Sequence, residues 1–167
     1  MSPDGERTRV LVTVMTYPLP STKYQELVCT AGITEQGEWA RLYPVDYRYR
    51  PRTQQFHEYQ WIEVELAPRA AGNDNRKESL KPQLESIRVI GEPLPTDNAW
   101  RARRAIIDRL PHHTVNQLKA LYDSERVSLG IVRPRRVVDL EIKPADPEWK
   151  PEMKWNAWAA MTKRQKA

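Results

Sequence analysis

The chain has one cysteine, Cys29, and three histidines, His57, His112 and His113. A single thiol excludes an intramolecular disulfide and a cysteine-based zinc site. The histidines lack the spacings (His-x-x-x-His or HExxH) that bring two imidazoles onto one metal ion, so neither a metal nor a cofactor is expected. The opening MSPDGERTR has no apolar core of the signal-peptide kind. No hydrophobic run approaches the length needed to span a bilayer, so the expectation is a cytoplasmic protein with no membrane segment. No internal repeat is visible either.

Positive charge is abundant, and of one kind. The net charge is +5, with 18 arginines against 9 lysines. Arginine presents a planar fork suited to phosphate or carboxylate, so the bias points to anionic partners. A chain of 167 residues can bury a core of its own and suits one domain. We expect that domain over residues 1–143 and a tryptophan-rich tail over 144–167, carrying Trp149, Trp155 and Trp158.

The first ninety residues read as β-structure. In RVLVTVMTY both alternating faces are largely apolar, which predicts a central strand. QELVCTAGI and EWARLYPV flank the polar TEQG and predict a hairpin. YQWIEVEL alternates cleanly, and SIRVIGE reads as a further strand. Thr96 or Asp97 can cap a helix over NAWRARRAIIDRL, and Thr114 a second over TVNQLKALYDS. SLGIVRPRRVVDLEIK then returns to β, interrupted at Pro134. This order predicts an α+β fold: a small curled β-sheet or PUA-like β-barrel with two inserted helices.

The segment RLYPVDYRYRPR, Arg41 to Arg52, interleaves four arginines with three tyrosines. Period two puts Trp39, Arg41 and Tyr43 on one face of a strand, with Ala40 and Leu42 turned to the core. Tyr47, Arg48, Tyr49, Arg50 and Arg52 follow in a loop. Guanidinium groups hold phosphates and aromatic rings stack on bases, so the run predicts a nucleic-acid-binding surface. Arg133, Arg135 and Arg136, in a turn, are expected to support the backbone. The competing expectation is that the aromatics pack under the helices or the tail, with arginines lying over them. Arg101, Arg103, Arg104 and Arg109 on the first helix are read as a solvated face, with phosphate contact as the lesser alternative. NDNRKES is read as a solvated loop or an ordered turn lining a pocket, and Cys29 as a small buried side chain.

A catalytic alternative lies in VVDLEIK. Alternation puts Asp139, Glu141 and Lys143 on one strand face and Val138, Leu140 and Ile142 on the buried one. An E-x-K strand with an upstream acid is how metal-dependent nucleases hold Mg²⁺ and orient water. A third class is an adaptor that docks a larger complex through its tail tryptophans. Small-molecule recognition in an aromatic cleft is also open.

YQELVCTAGI, GEWARLYP, FHEYQWIEVE, NRKES and SLGIVRP, in that order, resemble a family of bacterial proteins of unassigned function. The resemblance spans roughly residues 8 to 145 and implies no activity. More loosely, a curled sheet with inserted helices is similar to the PUA-like superfamily, including ASCH and EVE domains. That likeness implies an RNA- or modified-base-binding cleft lined by aromatic and basic residues. The leading expectation is a non-catalytic nucleic-acid-binding module, for DNA or RNA.

Overall fold

The computed structural model describes residues 7–17, 19–21, 25–67, 74–144, 148, 150–152, 154–155 and 158. Its strands are β1 (Arg7–Met15), β2 (Leu19–Ser21), β3 (Gln25–Thr34), β4 (Trp39–Val45), β5 (Trp61–Glu65), β6 (Ser79–Leu80) and β7 (Arg88–Ile90). Helix α1 (Asp97–Ile107), β8 (His112–His113), α2 (Val115–Glu125) and β9 (Ile131–Val132) follow.

Six strands lie in the order β6-β4-β3-β1-β5-β7, with β2 paired to β3 alongside. Within this sheet all pairs are antiparallel except β6 on β4, and β8 and β9 form a separate parallel pair. β1 is central, as its two apolar faces require: Val10, Val12 and the opposed Leu11 are all fully buried. The β3–β4 hairpin closes where TEQG predicts, with Thr34 N bonded to Glu38 O at 2.9 Å and Gly37 at φ 81°. At Gly32 an added Cβ would collide with the Leu11 carbonyl oxygen of β1, so the strands pair there without room for a side chain.

The core fills one face of the sheet with Val10, Val12, Ala40, Leu42, Val45, Phe56, Ile62, Val64 and Ile87. The stretch after residue 78 curls the sheet around it. Arg41 N bonds Glu78 O at 2.8 Å, while Ala67 N bonds Lys81 O at 2.9 Å and Gln83 N bonds Glu65 O at 2.8 Å. One segment therefore touches both β4 and the end of β5. The described strands nonetheless do not close, so the fold is a curled α+β sheet rather than the barrel offered as an alternative.

The opposite face carries a row across four strands. Trp61 pairs with Leu11, Leu11 with Ile33, and Ile33 with Trp39. Direct antiparallel partners project to the same side. Leu11 and Ile33 are buried in this row and the two tryptophans half-buried.

The helices form near their predicted places, by different means. Thr114 caps α2 reciprocally: Gln117 N donates to its hydroxyl at 3.2 Å and Thr114 N donates to Gln117 Oε1 at 2.8 Å. Thr96 precedes α1 without a side-chain cap, and Asn98, Ala99 and Trp100 are left-handed, at φ 48°, 54° and 62°.

Of SLGIVRPRRVVDLEIK, only Ile131–Val132 pairs as a strand, β9 on β8, and the part after Pro134 does not form one. Residues 133–144 run exposed and outside any ladder, with Val138 and Leu140 each 78% and Ile142 84% exposed. The expected burial of those three is therefore corrected. Alternation describes a side-chain pattern, but a strand also needs a neighbour for its N–H and C=O groups. Among the described residues no helix is long and apolar enough to cross a membrane.

Candidate functional site

β4 divides its side chains as period two requires. Ala40 and Leu42 are fully buried in the core, while Trp39 and Arg41 are half-buried and Tyr43 is 44% exposed on the other side. The expected flat Trp-Arg-Tyr surface is altered by a second layer. Arg41 Nη1 donates to Cys29 Sγ at 3.3 Å, and Nη2 donates to Ser128 Oγ at 3.0 Å. Ser128 is 87 residues away in the chain, a separation at which no local pattern signals contact.

Glu78 completes this polar centre. Its Oε1 accepts from Ser128 N at 2.9 Å and also from Ser128 Oγ. The residue is buried, and its Oε2 and the Arg41 Nε have no hydrogen-bond partner among the described residues. The centre therefore offers an ionic acceptor and a cationic donor in place of the apolar packing usual beneath a sheet.

The NDNRKES stretch is an ordered turn over its described residues, 74–79. Arg76 Nε and Nη2 donate to the two Asp74 carboxylate oxygens at 2.8 and 2.6 Å, and Ser79 Oγ donates to Asp74 Oδ2 at 2.7 Å. These bonds, from Arg76 first, hold the Asp74 carboxyl well below the usual carboxylate range. Ser79 N bonds Arg76 O at 3.2 Å and Arg41 N bonds Glu78 O at 2.8 Å, so the turn lies against β4 at Arg41.

A pH dependence follows. A carboxyl whose folded pKa lies below its ordinary value of about 4 adds stability above that pH and loses it as pH falls toward the folded value. Wild type is therefore expected to lose more stability than Asp74→Asn between about pH 5 and pH 2, in chemical denaturation. Equal losses in the two proteins would remove this contact from the account.

Two open concavities meet at Tyr122. One, of about 420 Å³, is lined by Tyr43, Asp74, Asn75, Arg76 and Tyr122. The other, of about 400 Å³, lies between α2 and the chain after it and reaches Ser128. Tyr122 is 41% exposed. Two accessible phenol rings, an amide and a guanidinium–carboxylate pair thus share one cleft, with Arg41 behind Ser128. Tyr122 and Ser128 are not among the residues that the sequence singles out for a site, and Glu78 enters only as part of the NDNRKES turn. The apolar spacing of α2 suggests core packing for Tyr122, and Ser128 and Glu78 carry no local signature.

The loop half of the arginine–tyrosine run is divided, with Tyr47 and Arg50 turned inward and Arg48 and Arg52 exposed. Tyr47 packs on the core, edge-on to Phe56 with ring centroids 5.2 Å apart, and its hydroxyl donates to Phe56 O at 2.7 Å. Burial pushes its phenol pKa up. Arg50 is buried, donating to Asp46 Oδ1 at 3.1 Å and to Gln54 Oε1 at 2.9 Å. As contact residues these two are corrected: Val45 and Phe56 draw the loop inward, and the Arg50 guanidinium satisfies the polar groups that arrive with it. Arg48 is exposed with its guanidinium 6.0 Å from the Tyr17 ring centroid, and Arg52 is exposed. The backbone of Tyr49 lies in the 3-10 turn Tyr47–Tyr49. Arg133, Arg135 and Arg136 are exposed, and among the described residues none bonds to the Arg41 face.

Asp139, Glu141 and Lys143 lie in the exposed segment, where Lys143 Nζ pairs with Glu141 Oε1 at 3.1 Å. The strand that would have aligned them is not formed. Among the described residues no group of three or more His, Cys, Asp or Glu side chains could hold a metal ion. Of the tail tryptophans, Trp155 and Trp158 are exposed with ring centroids 5.0 Å apart, and Trp149 lies outside the described residues.

Residues 6–109, more than half of the chain, match a domain of unknown function, DUF8758. The chain belongs to that uncharacterised family. The match covers the sheet, the Asp74–Ser79 turn and α1 and stops before α2, so Tyr122 and Ser128 lie outside the family region. No curated protein and no solved structure matches the chain.

Proposed function

We propose that this chain is a non-catalytic, PUA-like nucleic-acid-binding module of the cytoplasm that holds an unstacked base in the Tyr43–Tyr122 cleft. The observation that carries this reading is the joint exposure of two phenol rings in one concavity that Asn75 and the Asp74–Arg76 pair also line. Rings stack on any base, the Asn75 amide can meet a base edge, and the net charge of +5 favours the phosphate backbone. The contact surface is thereby narrowed from the full arginine–tyrosine run to Arg41 and Tyr43 together with residues from α2 and the 74–79 turn.

Fluorescence anisotropy with labelled single-stranded RNA and DNA at low salt tests it. Wild type is expected to bind, more weakly as salt rises, because neutralised phosphates release counterions. Tyr43→Ala and Tyr122→Ala should each weaken binding about 10-fold, the equivalent of about 1.4 kcal/mol of lost stacking. Wild-type affinity in both variants would sink the cleft as the binding site.

A further inference from the structure

We infer that α1 forms a second nucleic-acid contact, in which Trp100 stacks on a base and Arg101, Arg104 and Arg109 hold adjoining phosphates. This rests on the nucleic-acid reading above but uses none of the residues of the Tyr43–Tyr122 cleft.

The aromatic part is built and held in place. Trp100 is 51% exposed, although burying an indole is the ordinary outcome. It ends a left-handed run of three residues, none of them glycine, which is strained backbone of the kind concentrated at functional sites. Its ring stands edge-on to Tyr59, with centroids 6.4 Å apart. The Arg103 guanidinium lies 4.2 Å from the Tyr59 centroid and 5.3 Å from that of Trp100. Arg103 Nε in turn donates to Leu94 O at 2.8 Å, and Leu94 N donates to Tyr59 O at 2.7 Å. Trp100 is thus ordered before any ligand arrives, which lowers the entropic cost of stacking on it.

The charged part adjoins it in the chain. Arg101, Arg104 and Arg109 line an open concavity of about 390 Å³ together with Asp108. Arg104 pairs with Asp108 at 3.2 Å, and both are exposed. Among the described residues Arg101 and Arg109 make no ion pair. Three guanidinium groups against one carboxylate leave a local positive excess that matches a phosphodiester. A nucleotide supplies a planar ring and a phosphate in one ligand, whereas an acidic peptide or a lipid surface supplies the charge alone.

The test is binding of fluorescein-labelled (dT)12 and (U)12 across a salt series, read as affinity and as the slope of log K against log salt. Arg101→Gln combined with Arg109→Gln should flatten that slope by about 0.7 for each phosphate contact removed. Trp100→Ala should weaken binding about 5- to 20-fold with the slope unchanged, and Trp100→Phe, which keeps a stacking face, should recover most of it. These positions are exposed, and unchanged thermal melting of the arginine variant guards against a folding artefact. Wild-type affinity and slope in both the arginine and the Trp100→Ala proteins would overturn the inference while leaving the cleft standing. If the arginine variant flattens the slope but Tyr43→Ala and Tyr122→Ala bind as wild type, the cleft reading fails and this one holds. Failure of wild type to bind either oligonucleotide at low salt would overturn both. Equal effects with the two oligonucleotides assign the contact to base and phosphate alone, and a preference for (U)12 adds the 2′-hydroxyl.

Discussion

Phe56→Ala is expected to destabilise the chain by about 3–5 kcal/mol, the range for emptying a buried aromatic site. Phe56 is fully buried and belongs to the core cluster with Val45 and Ile87. It also receives the edge of the Tyr47 ring at 5.2 Å. Truncation removes the ring and leaves a cavity that rigid strands on one side cannot fill. For a chain of this size the melting temperature should fall by roughly 6–20 °C. Arg52→Ala, at an exposed position four residues earlier, should stay within about 0.5 kcal/mol of wild type. Urea denaturation of both proteins decides the matter. A loss below about 1 kcal/mol for Phe56→Ala would mean that the loop after β4 does not pack as described. The contrast matters because both residues lie in or beside the stretch whose composition suggests a binding loop.

Glu78→Ala is expected to cost about 2–4 kcal/mol and to loosen the cleft at the same time. Glu78 is the acceptor for both the backbone N–H and the hydroxyl of Ser128, so it ties the chain after α2 to the β4–β6 edge. Without it, Ser128 N loses its acceptor and the Arg41 guanidinium loses the nearby carboxylate. The segment that carries Tyr122 then has fewer bonds to the sheet. Amide hydrogen exchange over residues 118–128 should rise in this variant, and oligonucleotide affinity should fall with it. Glu78→Gln keeps one carbonyl acceptor and should lose less on both measures. Unchanged exchange in Glu78→Ala would show that α2 is held by other contacts.

Much of the fold is legible in local patterns. The apolar alternation of β1, the TEQG hairpin, the Ala40–Leu42 core face and the Thr114 cap each depend on residues within a few positions of one another. The same reasoning misplaces VVDLEIK, whose alternation suits a strand but whose backbone joins no ladder among the described residues. It also misplaces Tyr47 and Arg50. An aromatic–cationic loop reads alike whether it faces solvent or lies over a core, and Val45 and Phe56 are what turn it inward. Beside the Trp39–Arg41–Tyr43 face of β4, a second Trp-Arg-Tyr grouping occurs at Trp100, Arg103 and Tyr59. Tyr59 stands 41 residues before Trp100, beyond the reach of any spacing rule.

By itself, then, the sequence determined the class of fold, the positions of most elements, which side of β4 faces the core, and the net positive charge. Those properties follow from period, capping chemistry and composition, all of them local or additive. Tertiary structure decided which arginines and tyrosines remain accessible. It engaged Arg41 with Cys29 and Ser128, buried Arg50, ordered the Asp74–Ser79 turn, and brought Tyr122 to Tyr43. Each of these joins polar or aromatic groups across the sheet edge or within a loop that closes on the core. The cost of leaving such groups unpaired or dry is settled only when the whole chain has packed.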